Sequence, residues 1–171
     1  MDSVKMEQIC GEVMAFKMPR YEQLPRISLY LDQVIEEVVF ILSPILGDNS
    51  EKWITHTMVG NYVKQGLIPR PMGKKYAKEH IAYLIYISIA KQVLSMGEIH
   101  NLLEIQRKAY PIETAYNYLC NEFENALQDI FRRKDLCPPT YETKDLEANV
   151  FRSTVIAVAY TIYTRKMLEV Y

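Results

Sequence analysis

Glycine and proline are scarce in this 171-residue chain, six and eight residues, and they cluster between helical patterns. That scarcity excludes the closely spaced turns of a sandwich or barrel and points to a mainly helical protein. Cysteine is scarcer still. Cys10, Cys120 and Cys137 stand far apart, with no CxxC pair and no Cys/His ligand spacing. Neither a disulfide framework nor a zinc site is indicated, and reduced thiols suit a cytoplasmic protein. Long apolar runs are missing as well. The most apolar stretch, STVIAVAYTIYT at 153–164, lies between Arg152 and Arg165, and a membrane span needs about 20 such residues. MDSVKMEQIC, at the N-terminus, lacks the apolar core of a secretory signal.

Catalytic signatures are absent too. No Gly-rich phosphate loop or GxSxG elbow occurs. Glu36 and Glu37 read as the solvent face of a helix, with no nucleophile placed against them. His56, His80 and His100 are scattered and read as surface or capping residues. No catalytic residue, metal or cofactor is expected, and the chain is not read as an enzyme.

What is present is segregated charge. The net charge is −1, yet residues 52–80 hold six cations against Glu79 alone, and the remainder is net −6. A local positive stretch matters more than the total for meeting a polyanion.

The periodicity predicts a series of helices. Residues 1–23 form a mixed N-terminal arm, its end bracketed by Pro19 and Pro25. A helix is expected from an N-cap at Ser28 through LYLDQVIEEVVFIL, ended or kinked by Pro44 and Gly47. A short helix follows, capped by Thr55 or Thr57 and stopped at Gly66. Within IPRPMGKKY, two prolines and a glycine read as a tight two-strand turn, a small wing. The next helix, from Lys78 to about Leu94, carries an inward stripe of Ile81, Leu84, Ile85, Ser88 and Ile89. Ser95 and Glu98 make a capping box for a helix to about Lys108. Pro111 opens another, DLCPPTYETK reads as a loop, and a last helix begins near Lys144. Its middle is apolar on most sides, which suggests the centre of a bundle or a dimer interface. The C-terminal tyrosines, among them Tyr116, Tyr141 and Tyr160, read as bundle packing rather than an effector pocket.

On the short helix Val59, Tyr62 and Val63 share an inward face, leaving Thr57, Gly60, Asn61 and Lys64 outward. A hydroxyl, an amide and an ammonium on one short helix suit base edges and phosphates in a major groove. Arg70, Lys74 and Lys75 beside it suit the flanking phosphates.

YVKQGLIPRP, followed by KKY and a helix ending in SMGEIHNLL, resembles the DNA-binding domain of MerR-type regulators. Tyr62 matches the helix tyrosine, Gly66-Leu67 the stop, and Lys74 with Tyr76 the wing's basic residue and tyrosine. The arginine common before the tyrosine is replaced by Gly60 and Asn61. PRYEQLPRISLYLDQV, TMVGNYVKQGLIPRP and KKYAKEHIAYLIYI also resemble DUF1836, a bacterial family of MerR-like proteins.

The expectation is therefore an all-α protein with a small β-wing. A MerR-like winged helix-turn-helix domain would span 24–108, and a helical C-terminal bundle for dimerisation or effector binding 109–171. The expected function is sequence-specific DNA binding in transcriptional regulation, with the 57–65 helix in the major groove and the 69–76 wing on phosphates. The candidate contacts are Thr57, Gly60, Asn61, Lys64, Arg70, Lys74, Lys75 and Tyr76. Double-stranded DNA and a second copy, joined through the C-terminal helices, are the expected partners, with no membrane. The alternative is a winged-helix module that binds proteins and has lost DNA binding.

Overall fold

A computed structural model describes residues 3–132 and 146–169. These residues form seven α-helices: α1 (Ser3–Ala15), α2 (Leu31–Leu46), α3 (His56–Lys64), α4 (Lys78–Ala90), α5 (Met96–Ala109), α6 (Ile112–Arg132) and α7 (Leu146–Leu168). The loop read at 135–144, with Cys137 and Tyr141, lies outside the described residues. None of the described helices is long and apolar enough to cross a membrane.

α4 is the axis of the fold. Each residue from His80 to Ala90 is buried, because α2 covers one side and α6 and α7 cover others. The inward stripe read from periodicity is thus only part of what this helix hides. α7, expected at the centre of a bundle or in a dimer interface, turns Phe151, Val155, Val158 and Ile162 inward and leaves other positions exposed. One contiguous apolar core draws on all seven helices, from Val13 to Ile162.

The N-terminal arm contains α1, which packs on α6. Phe16 meets Phe123 edge to face, with ring centroids 6.3 Å apart. Beyond it, buried Glu124 of α6 accepts hydrogen bonds from the Met18 amide (2.9 Å), the Lys17 ammonium (2.9 Å) and the Arg20 guanidinium (2.7 Å). A carboxylate surrounded by donors can be buried without being left unpaired.

α2 starts two residues later than the Ser28 cap implied: Tyr30 is the N-cap, and its amide donates to Gln33 Oε1 at 3.0 Å. The helix runs through Pro44 and stops at Gly47, where φ is 87°.

The expected β-wing is not formed. Among the described residues there is no strand, only two isolated antiparallel bridges, Leu29 with Tyr76 and Met72 with Lys75. The turn itself exists: Gly73 and Lys74 both have positive φ (54° and 64°), and the Lys75 amide donates to Met72 O at 2.9 Å. Positive φ at both central residues is the type I′ geometry that normally joins paired strands. Pairing stops there because Pro69 and Pro71 have no N–H to contribute to a ladder. A two-stranded ribbon with so few bonds has little stability of its own.

Candidate nucleic-acid interface

α3 is held by a few strong anchors. The Thr55 hydroxyl accepts from the Met58 amide at 3.2 Å, capping the N-terminus. Val59 and Tyr62 are buried and seat the helix, which packs on α2. At the other end Gly66, with φ 72°, donates to Val63 O (3.2 Å), and Leu67 donates to Tyr62 O (2.9 Å). That paired closure is a Schellman stop, which needs a left-handed residue at the position Gly66 fills. Buried Leu67 completes it with an apolar contact. Burial also pushes the Tyr62 hydroxyl's pKa up.

Arg107 of α5 then locks the stop. Its guanidinium donates to Gly66 O at 3.2 Å and to Leu67 O, and is oriented by Glu104 at 2.9 Å. The same guanidinium lies 5.2 Å over the Tyr83 ring of α4. One cation thus ties α3, α4 and α5 together.

Thr57, Asn61 and Lys64 are exposed on the side of α3 away from Val59 and Tyr62, and Gln65 joins them. Gly60, half-buried, has open space where a Cβ would stand. Among the described residues no packing requires a glycine there.

On the turn, Arg70, Lys74 and Lys75 are exposed. Lys75 Nζ lies 5.2 Å from the Tyr30 ring centroid. Among the described residues no carboxylate pairs with Lys64, Arg70, Lys74 or Lys75. Tyr76 is different: it is buried, its ring 5.3 Å from His80 edge to face, and burial raises its pKa. Its backbone exchanges two hydrogen bonds with Leu29 (2.8 and 2.9 Å). The turn is therefore fastened to the chain entering α2, and α3 to α2 itself.

Two further polar residues border α3. The Lys91 ammonium donates to Met58 Sδ at 3.3 Å, and burial holds its pKa below the ordinary lysine value. Together with Asn61, Gln65 and Ser95 it lines an open groove of about 400 Å³. The sequence reading missed Gln65, Lys91 and Arg107. Gln65 follows Asn61 by four residues, so the helical period contained that signal. Lys91 and Arg107 reach α3 only through the tertiary fold. His80, read as a surface or capping residue, is a buried cap: its Nδ1 accepts from the Ala77 amide at 2.9 Å.

Residues 19–119 match the family described as Domain of unknown function (DUF1836). The chain belongs to this family. No curated protein and no solved structure matches the chain. The matched segment runs from the arm gripped by Glu124 through α3 and the turn into α6, where Asn117 Oδ1 accepts from the Tyr21 amide at 2.9 Å. Among the described residues no group of three or more His, Cys, Asp or Glu is placed to hold a metal ion.

Proposed function

We propose that this DUF1836 protein is a bacterial, cytoplasmic DNA-binding regulator that reads double-stranded DNA with α3. The observation that carries the reading is four exposed cations, Lys64, Arg70, Lys74 and Lys75, without carboxylate partners among the described residues, beside the outward polar face of a rigidly capped helix. An exposed lysine or arginine without a carboxylate partner is available to displace counterions from phosphates. Asn61 and Lys64 are the candidates for base-edge or nearby phosphate contact, with Thr57 and Gly60 on the same helix. Arg70, Lys74 and Lys75 hold flanking phosphates. Tyr76 serves the site by fastening the turn rather than through its buried ring. The likeness of YVKQGLIPRP to the helix-and-stop segment of MerR-type regulators supports the same assignment.

One α3 offers few contacts, so useful specificity calls for two half-sites and hence a homodimer built through the C-terminal helices. The role is that of a binding protein rather than an enzyme. A second reading, a protein-interaction module, draws on Met72, an apolar side chain 86% exposed on the turn.

Titration of the full-length protein against a labelled genomic fragment library tests the first reading. Enrichment of discrete fragments is expected, with log Kd changing by about 0.9 per log unit of salt for each phosphate neutralised. The Lys64→Glu/Lys74→Glu variant should lose that enrichment while keeping its helicity. Enrichment of no fragment, or binding indifferent to the double substitution, sinks DNA reading by this face.

A further inference from the structure

α7 turns a second face away from its own core. Val150, Ser153, Ala157, Tyr160, Thr164 and Leu168 are all exposed and follow one another at steps of three or four residues. By the helical period they form one stripe along the helix, opposite Phe151, Val155, Val158 and Ile162. The stripe contains no charged residue, and Tyr160 and Leu168 leave 43% and 70% of their surface open.

Its serine and threonine hydroxyls are already satisfied. Ser153 Oγ donates to Asn149 O at 2.8 Å and Thr164 Oγ1 to Tyr160 O at 3.0 Å, and beside them Thr161 Oγ1 donates to Ala157 O at 2.9 Å. Hydroxyls that bond back to the helix can enter a dry interface without losing a partner. Ser153 and Ala157 at the middle are small enough to let another helix approach closely.

We propose that this stripe pairs antiparallel with the same stripe of a second copy of the chain, the two-fold axis passing at Ala157. The inference deepens the homodimer reading above and rests on it. Charge selects the orientation. Glu147 lies in the first turn of α7, and Arg165 and Lys166 lie in the last. Arg165, exposed and hydrogen-bonded to Gln92 at 2.8 Å, lies on the same flank of the stripe as Glu147 by the helical period, whereas Lys166 lies on the far side of the helix. Antiparallel pairing brings Glu147 of each helix to the Arg165 end of the other on the same flank, where parallel pairing would not, and lays Leu146 against Leu168 and Val150 against Thr164. A self-complementary patch is what a two-fold interface requires.

The test uses the full-length protein with Cys10 and Cys137 replaced by serine. In that background Ala157→Cys should give a disulfide-linked dimer on mild oxidation. Ser153→Cys should not, because Ser153 faces position 161 of the other copy. Its own counterpart is then displaced by about 12 Å at 1.5 Å per residue, beyond disulfide reach. Ala157→Glu should convert a sedimenting dimer to monomer with unchanged far-UV circular dichroism; should that variant misfold, the two cysteine variants decide alone. Cross-linking at both 153 and 157 overturns the antiparallel register. A wild-type dimer that neither cross-links at 157 nor responds to Ala157→Glu overturns the seam while leaving the dimer standing. Wild-type protein that remains monomeric at every concentration overturns both.

Discussion

The stretch from Thr55 to Tyr76 and the helix that follows it are neighbours in sequence with opposite constructions. α4 hides every residue from His80 to Ala90 and owes its place to apolar contact on all sides. α3 and its turn bury Val59, Tyr62, Leu67, Ile68 and Tyr76 and expose most other side chains. They keep their shape through backbone bonds: a threonine cap, a Schellman stop, an arginine on two carbonyls and a bridge to Leu29. A segment fixed through its backbone leaves its side chains available for a partner. The cost of substitution should divide along the same line.

The largest effect belongs to α4. Ile85 is fully buried, and Ile85→Ala should lower stability by about 2–5 kcal/mol, since the core relaxes only partly around the lost methyl groups. Lys64→Glu on α3 should change it by less than about 0.5 kcal/mol, as exposed substitutions usually do. Urea unfolding of both variants checks the contrast. Comparable losses would mean that α3 is as deeply integrated as α4, and the division between them would fall.

Next in size is the grip on the arm. Burial pushes the Glu124 carboxyl up, but hydrogen bonds from the Arg20 guanidinium, the Met18 amide and the Lys17 ammonium outweigh it and hold it below the usual carboxylate range. A carboxylate lowered in this way contributes stability that is fully present above its unfolded pKa of about 4.3 and is lost as pH falls through the lower native value. Glu124→Gln should therefore cost about 2 kcal/mol near neutrality, the usual scale for hydrogen bonds to a charged group. The gap from wild type should close in acid. Denaturation curves at several pH values measure it, and a pH-independent gap would show that packing, not ionisation, makes the clamp.

How much of this was legible follows from where the information sits. The Thr55 cap, the Gly66 stop and the Ser95–Glu98 box were readable because each is a local exchange of hydrogen bonds within three or four residues. The outward placement of Thr57, Asn61 and Lys64 was readable because α3 has one polar and one apolar side. In α4 periodicity found one stripe and missed Tyr83, Tyr86 and Ile87, since YLIYISIA offers no polar face to define an outside. α7 looked just as apolar, and only the packing separates its buried Phe151 and Val158 from its exposed Ala157 and Tyr160. The wing was misread because a type I′ turn signals a hairpin only when both flanks can pair, and Pro69 and Pro71 prevent that on one side. α1 escaped notice because its partner, α6, begins about a hundred residues later.

The smallest expected effect probes α3 alone. Gly60 lies inside the helix with open space at the Cβ position, so Gly60→Ala should stabilise the protein by about 0.5–1 kcal/mol through the reduced entropy of the unfolded chain. If the glycine is present so that a DNA backbone or base edge can approach the helix closely, the same methyl group should weaken fragment binding. Stability up and affinity down together would separate α3 from α4, where burial sets stability and no partner is involved. Thermal unfolding and fragment titration on one variant supply both readouts. Affinity equal to wild type would leave Gly60 out of the contact and assign reading to Asn61, Lys64 and the turn cations, whereas a drop in stability would show that the helix is strained there in a way its open surroundings do not explain.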